Sequence, residues 1–75
     1  MNKKIERLIG NNIRDLRIRQ NMTQEELATL LQIEGCDITR SAVAKIEVGQ
    51  RHVYADEIIL LKKILKADFE DIFKV

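Results

Sequence analysis

Met22-Thr23-Gln24-Glu25-Glu26-Leu27-Ala28-Thr29-Leu30-Leu31 and, further on, Thr39-Arg40-Ser41-Ala42-Val43-Ala44-Lys45-Ile46-Glu47-Val48-Gly49 decide how this chain folds. Thr23 with Glu26 three residues later is a capping box. The threonine hydroxyl can accept from the amide of Glu26, and the glutamate can reach back to the threonine N–H. Leu27, Leu30 and Leu31 carry the helix this starts to about Glu34, and Gly35 ends it in the left-handed conformation. Ile38 precedes Thr39, which can cap a further helix from Arg40 to Val48, with Gly49 as its stop.

Upstream, Ile5, Leu8, Ile9, Ile13 and Leu16 form one stripe at helical spacing, so a first helix is expected from about Lys3 to Gln20, capped by Asn2. Gly10 falls off that stripe and is expected only to weaken the helix. Ile18 points to the opposite side, toward solvent or an interface. Downstream, a loop from Gln50 to Tyr54 leads to a fourth helix from about Ala55 to Lys66. Its stripe is Ile58, Leu61, Ile64 and Leu65, and Lys62, Lys63 and Lys66 sit at the end that favours cations. Asp68 is expected to cap a short fifth helix with Phe69, Ile72 and Phe73. No proline interrupts these segments, and no β-branched alternation suggests a strand. The expected fold is all-α, one five-helix domain over residues 1–75.

Length and composition narrow the function classes. Seventy-five residues form one domain with a thin stability margin. The single cysteine, Cys36, excludes an intramolecular disulfide and points to a reducing, cytoplasmic setting. Lys3 and Lys4 have no apolar run behind them, so no signal peptide is read, and no segment has the ~20 apolar residues of a membrane span. A net charge of +1 decides little. Its distribution says more: Arg40, Lys45 and Arg51 face Glu47 alone in the centre, while Asp68, Glu70 and Asp71 outnumber Lys74 at the end.

On a wheel of 100° per residue, Ala42, Val43 and Ile46 of the third helix share the core side. The other side presents Ser41, Ala44, Lys45 and Val48, with Arg40 projecting from the first turn. Such a narrow, weakly positive face can enter the DNA major groove, where small side chains permit approach and Arg or Lys can bind guanine. A solvated helix face would look the same on the wheel. Glu47 flanks the buried side, as Arg17 flanks the stripe of the first helix. A charge-assisted pair would join the two helices; two solvated rim charges are the other reading.

Ile13-Arg14-Asp15-Leu16-Arg17, Met22 to Ala28, and Arg40 to Gly49 together resemble the phage repressor and Cro-type (Xre-like) helix-turn-helix family. Arg17 stands six residues before Thr23, as an arginine does in that family, and Ile46-Glu47-Val48-Gly49 matches the end of its recognition helix. The similarity spans about residues 9 to 73, the tail from Leu65 to Phe73 included. It implies a repressor-like domain with the second and third helices as the DNA-binding motif. By position, Arg40, Ser41 and Lys45 match base-reading sites, and Ala44 lies on the same face. Gln24 matches a phosphate contact and Gln50, Arg51 and His52 a backbone-contacting loop, with Thr23 and Thr39 at the adjoining helix starts. Arg17 and Glu47 match a buried ion pair. The chain departs from the pattern in two places: the turn Gln32 to Asp37 is several residues longer than usual, and Tyr54 replaces a small cap before the fourth helix. Tyr54 could reach a phosphate or pack on that helix, and packing is the expectation.

Other chemistry is poorly supported. His52 and Cys36 are single examples of their types, so neither a metal site nor a catalytic pair is expected, and no enzyme activity or cofactor follows. Cys36 reads as a small hydrophobe in a turn, His52 as a loop residue. The expected function is sequence-specific binding of double-stranded DNA by a transcriptional repressor. One short helix makes few base contacts, so a homodimer on a pseudo-palindromic operator is expected. With the fifth helix the last element read, dimer contacts are expected to come from the domain itself; Ile59, Leu60, Phe69, Ile72 and Phe73 are the candidates. A protein-interaction module, or the antitoxin of a toxin pair, on the same fold is the rival reading.

Overall fold

The computed structural model describes residues 2–75, which form five helices and no strand. They are α1 (Lys3–Arg19), α2 (Gln24–Ile33), α3 (Arg40–Glu47), α4 (Ala55–Leu65) and α5 (Phe69–Phe73). The all-α, five-helix expectation holds, with boundaries shifted by a residue or so at the C-terminal ends.

Local signals start the first three helices. The Asn2 side chain accepts from the amides of Lys4 and Ile5. Thr23 Oγ1 accepts from Glu26 N at 3.0 Å while the Glu26 carboxylate accepts from Thr23 N at 2.8 Å, closing the capping box. Thr39 Oγ1 accepts from Ala42 N at 3.1 Å. The last helix starts differently from expectation: Asp68 occupies the cap position without a side-chain cap bond, and Asp71 accepts from its N–H instead.

The core draws on every helix. Ile13 and Leu16 from α1, Leu27, Ala28 and Leu31 from α2, Val43 and Ile46 from α3, and Ile58, Leu61 and Leu65 from α4 are buried together with Ile38, Ala67 and Ile72. Ile5, at the start of the expected stripe, lies outside this cluster and is exposed, as is Ile18. Ile72 is fully buried, so its place among the dimer candidates is corrected: it closes the core from α5. Asn12 secures that closure, its Nδ2 donating to the carbonyls of Ile72 and Lys74 at 2.9 and 2.7 Å.

Gly10 also departs from expectation. It is buried where α1 crosses the end of α3. A Cβ there would run into the carbonyl oxygen of Ile46 and come within 3.0 Å of the Glu47 carbonyl group. The glycine is what lets the two backbones touch. The reciprocal position is Gly49, with φ +77, whose missing Cβ leaves room for the Arg7 backbone.

The long turn before α3 is packed rather than loose. Cys36 N donates to Leu31 O, Gln32 Nε2 donates to Ile38 O at 2.7 Å, and Ile38 is buried in the core. These contacts hold the extra residues against the end of α2 and fix where α3 begins.

Candidate nucleic-acid interface

α3 is anchored along one side and open along the other. Val43, Ile46 and Glu47 are buried, so the helical repeat turns Arg40, Ser41 and Lys45 to solvent, with Ala44 half-buried between them and Val48 exposed just beyond. The base-reading candidates therefore share one face. Among the described residues, no carboxylate lies within ion-pair distance of Arg40 or Lys45.

The anchor is ionic as well as apolar. Arg17 Nε donates to Glu47 Oε2 at 2.7 Å and Nη2 to Oε1 at 3.0 Å, a two-pronged pair. Arg17 is 8 % exposed and Glu47 2 %. The Arg17 Nη1 donates to Met22 O at 2.7 Å, tying in the link between α1 and α2. Gln24 Nε2 donates to Glu47 Oε1 at 3.0 Å, a contact the sequence did not suggest. Gln24, expected beside a phosphate, thus spends its amide on the start of the motif. Its carbonyl oxygen cannot donate to a phosphate, so what remains for that role is its second amide hydrogen and its backbone N–H at the head of α2.

Thr23 and Thr39 are exposed at the first turns of α2 and α3, their hydroxyls engaged as caps. The Thr23 N–H held by Glu26 draws that carboxyl below its usual range. Gln50 is exposed beyond α3, its backbone N–H bonded to Lys45 O at 2.8 Å.

The rest of the loop is clasped by glutamates. Arg51 Nη1 and Nη2 donate to Glu57 Oε1 and Oε2 at 2.9 and 3.0 Å, and Nη1 also to His52 O at 2.8 Å. His52 Nδ1 lies 2.6 Å from Glu6 of α1. Burial pushes the Glu57 carboxyl up, but the Arg51 hydrogen bond, the Tyr54 N–H and the Arg51 charge together outweigh it and hold the group below its usual range. The same hydrogen bond raises Arg51 further above its ordinary value, against the opposing effect of burial. So Arg51, expected beside a phosphate, already has its charge matched internally. Glu57 was missed at the sequence level; its signal is a glutamate three residues after Tyr54, the residue that caps α4, with an arginine in the preceding loop. Tyr54 does not pack into α4 as expected. It is 60 % exposed, with the Arg51 guanidinium 5.5 Å from its ring centre.

Cys36 is half-buried near this clasp, its Sγ 4.0 Å from Glu57 Oε2. Burial first, then the Glu57 and Asp56 charges, push its thiol above the ordinary range. Among the described residues, no His, Cys, Asp and Glu side chains are grouped as metal ligands, and no helix is long and apolar enough to cross a membrane. Ile59, Phe69 and Phe73 are exposed and Leu60 is half-buried, with the Lys62 ammonium 5.3 Å from the Phe69 ring centre.

The arrangement agrees with what known proteins show. A family model described as helix-turn-helix matches residues 13–72. Control protein C.BamHI of Bacillus amyloliquefaciens is 34% identical over 73 residues, covering 96% of this chain and 84% of that protein. The crystal structure of the restriction-modification controller protein C.AhdI from Aeromonas hydrophila superposes with a TM-score of 0.80 at 31% sequence identity, covering 95% of this chain and 96% of the other.

Proposed function

The chain belongs to the helix-turn-helix family of DNA-binding transcriptional regulators, and on that premise we propose that it is a repressor that reads a pseudo-palindromic operator as a homodimer. α3 enters the major groove. Arg40 and Lys45 donate to guanine N7 and O6, Ser41 bonds a neighbouring base edge, and Ala44 leaves room for close approach. Thr23, Gln24, Thr39, Gln50, Arg51 and His52 flank this helix and face phosphates, through backbone amides where their side chains are engaged within the protein. The observation that carries the reading is the pairing of two unmatched cations on the open face of α3 with a buried Arg17–Glu47 clamp on its other side. The clamp holds the helix rigid, and an ordered helix loses little entropy on docking.

The likeness to a control protein and to a restriction-modification controller supports a regulated promoter within a restriction-modification gene set. Occupying such an operator excludes polymerase. The exposed Ile59, Phe69 and Phe73, with Leu60 between them, support self-association through the α4 and α5 side. Two copies joined there present two α3 helices about 34–36 Å apart, one turn of the duplex.

Selection of bound sequences from random duplexes tests this, followed by sedimentation of the protein on the selected site. Inverted half-sites about 10 base pairs apart, or a multiple of that, and two chains per duplex are expected. One chain per duplex refutes the homodimer. No enrichment at all refutes base reading and leaves the interaction-module or antitoxin reading.

A further inference from the structure

Thirteen lysines and arginines are present, and the clearest use of three is internal: Arg17, Arg51 and Lys63 pair with Glu47, Glu57 and Glu34. Two others stand out by position. Arg7 and Arg14 are exposed on α1 with Asn11 between them, and spacings of four and three residues put all three within an arc of roughly 60°. Among the described residues neither arginine has a carboxylate within ion-pair distance. The nearby acids are engaged elsewhere. Glu6 is held by His52 and Glu47 by Arg17, while Asp15 borders a different groove with Arg19 and Lys74.

This strip adjoins the DNA-reading helix. Arg7, Asn11 and Arg14 line one shallow groove with Glu47, Val48 and Gln50, the C-terminal end of α3 and the residues just past it. The contact is rigid because glycines make it. Gly10, next to the strip on the helical wheel, rests on the Ile46 carbonyl, and Gly49 leaves space for the Arg7 backbone. The two arginines therefore cannot drift relative to α3. Their Cα atoms are about 10.5 Å apart along the helix axis, room for two separate phosphates.

We infer that Arg7, Asn11 and Arg14 form a second phosphate-holding strip, which grips the DNA backbone beside the bases read by α3. The inference rests on the DNA-binding reading above and adds a surface that the helix-turn-helix motif itself does not contain. Charge complementarity selects the occupant: two unmatched guanidiniums and an amide suit consecutive phosphate oxygens, and continuity with α3 places them on the duplex that α3 enters. The strip carries no sequence information. It sets the salt dependence and the register of docking.

The test uses the full chain with both arginines changed to glutamine (R7Q/R14Q), which keeps the aliphatic stem of Arg7 over Gly49. A control, Lys66→Asn with Lys74→Gln, removes the same charge from the ends of α4 and α5, asparagine being suited to the left-handed backbone at position 66. Affinity for the selected duplex and for a scrambled one is measured at several salt concentrations. Each phosphate contact contributes ~0.9 to the log–log salt slope, so R7Q/R14Q is expected to be shallower by about 1.8 per bound chain, about 3.6 for a dimer, on both duplexes. The ratio of selected to scrambled affinity stays at the wild-type value, R7K/R14K restores the slope, and the control leaves it unchanged. A slope for R7Q/R14Q equal to the control's, in protein that melts like wild type, overturns the strip. A wild type with no sequence preference refutes base reading by α3 but leaves this slope measurement intact, so the two failures are distinguishable.

Discussion

Replacing Glu47 by alanine is expected to cost this domain a large share of its stability. The Glu47 carboxylate accepts three hydrogen bonds, two from Arg17 and one from Gln24. Without it the Arg17 guanidinium stays buried with the Met22 carbonyl as its remaining partner. Removing one member of a buried pair typically costs ~3–5 kcal/mol, because the other charge is left uncompensated. A domain of this size has roughly 4–11 kcal/mol to lose, at ~0.05–0.15 kcal/mol per residue. At about 4–8 °C per kcal/mol, the melting midpoint should fall by at least about 12 °C. Thermal melts followed by far-ultraviolet circular dichroism give the answer. The cause is separated from the loss of a side chain by the double substitution Arg17→Met with Glu47→Leu. Exchanging a buried pair for apolar groups is often neutral or stabilising, so most of the loss should be recovered. An E47A melt within about 2 °C of wild type refutes the reasoning, and so does a double variant no better than E47A.

Helix propensity alone says that Gly10→Ala should stabilise α1 by ~1 kcal/mol. The contact with the Ile46 carbonyl reverses the sign, and a loss of ~1–3 kcal/mol is expected in denaturant titration. For Glu57 the folded carboxyl sits below its unfolded value, so its pairing stabilises the fold above about pH 4.3 and is lost as the pH falls through the lowered folded value. Glu57→Gln should therefore melt lower at neutral pH and lose less than wild type on acidification from about pH 5 to pH 3; parallel melting-versus-pH curves would contradict this. Cys36 should alkylate more slowly than a free thiol at pH 8 in the folded protein, and at the free-thiol rate once unfolded, as mass spectrometry can follow.

Sequence signals of short range carried through to the structure. The Thr23–Glu26 box, the Thr39 cap and the start at Asn2 each involve groups within three residues, so their geometry follows from local chain chemistry. The buried Arg17–Glu47 pair was visible as two charges flanking apolar stripes, but the helical wheel alone did not exclude a solvated rim. The family resemblance implied the buried alternative, which is the one observed. What stayed hidden depends on how helices meet. Gly10 looked like a flaw because the carbonyl it accommodates belongs to another helix thirty-six residues on. Ile72 and Phe73 look alike in the sequence, yet the tilt of a single short turn buries the first and exposes the second. The glutamate partners of Arg51 and His52 come from α4 and α1, and a charge that reads as free in a loop is matched once those helices pack. Cationic loop residues are therefore weaker guides to a phosphate contact than cations fixed on an open helix face.

Base reading by α3 is tested most directly with Arg40→Ala, measured on the selected duplex and on a scrambled one of equal length. Arg40 is exposed and unmatched, so the variant should fold and melt as wild type does. Losing one base contact per chain should weaken the selected duplex by ~1–3 kcal/mol for each half-site and relax preference at one position of each. The scrambled duplex should change far less, so the ratio between the two falls by roughly 5- to 160-fold per half-site. Equal losses on both duplexes, or a ratio unchanged from wild type, would contradict the assignment of α3 as the helix that reads the operator.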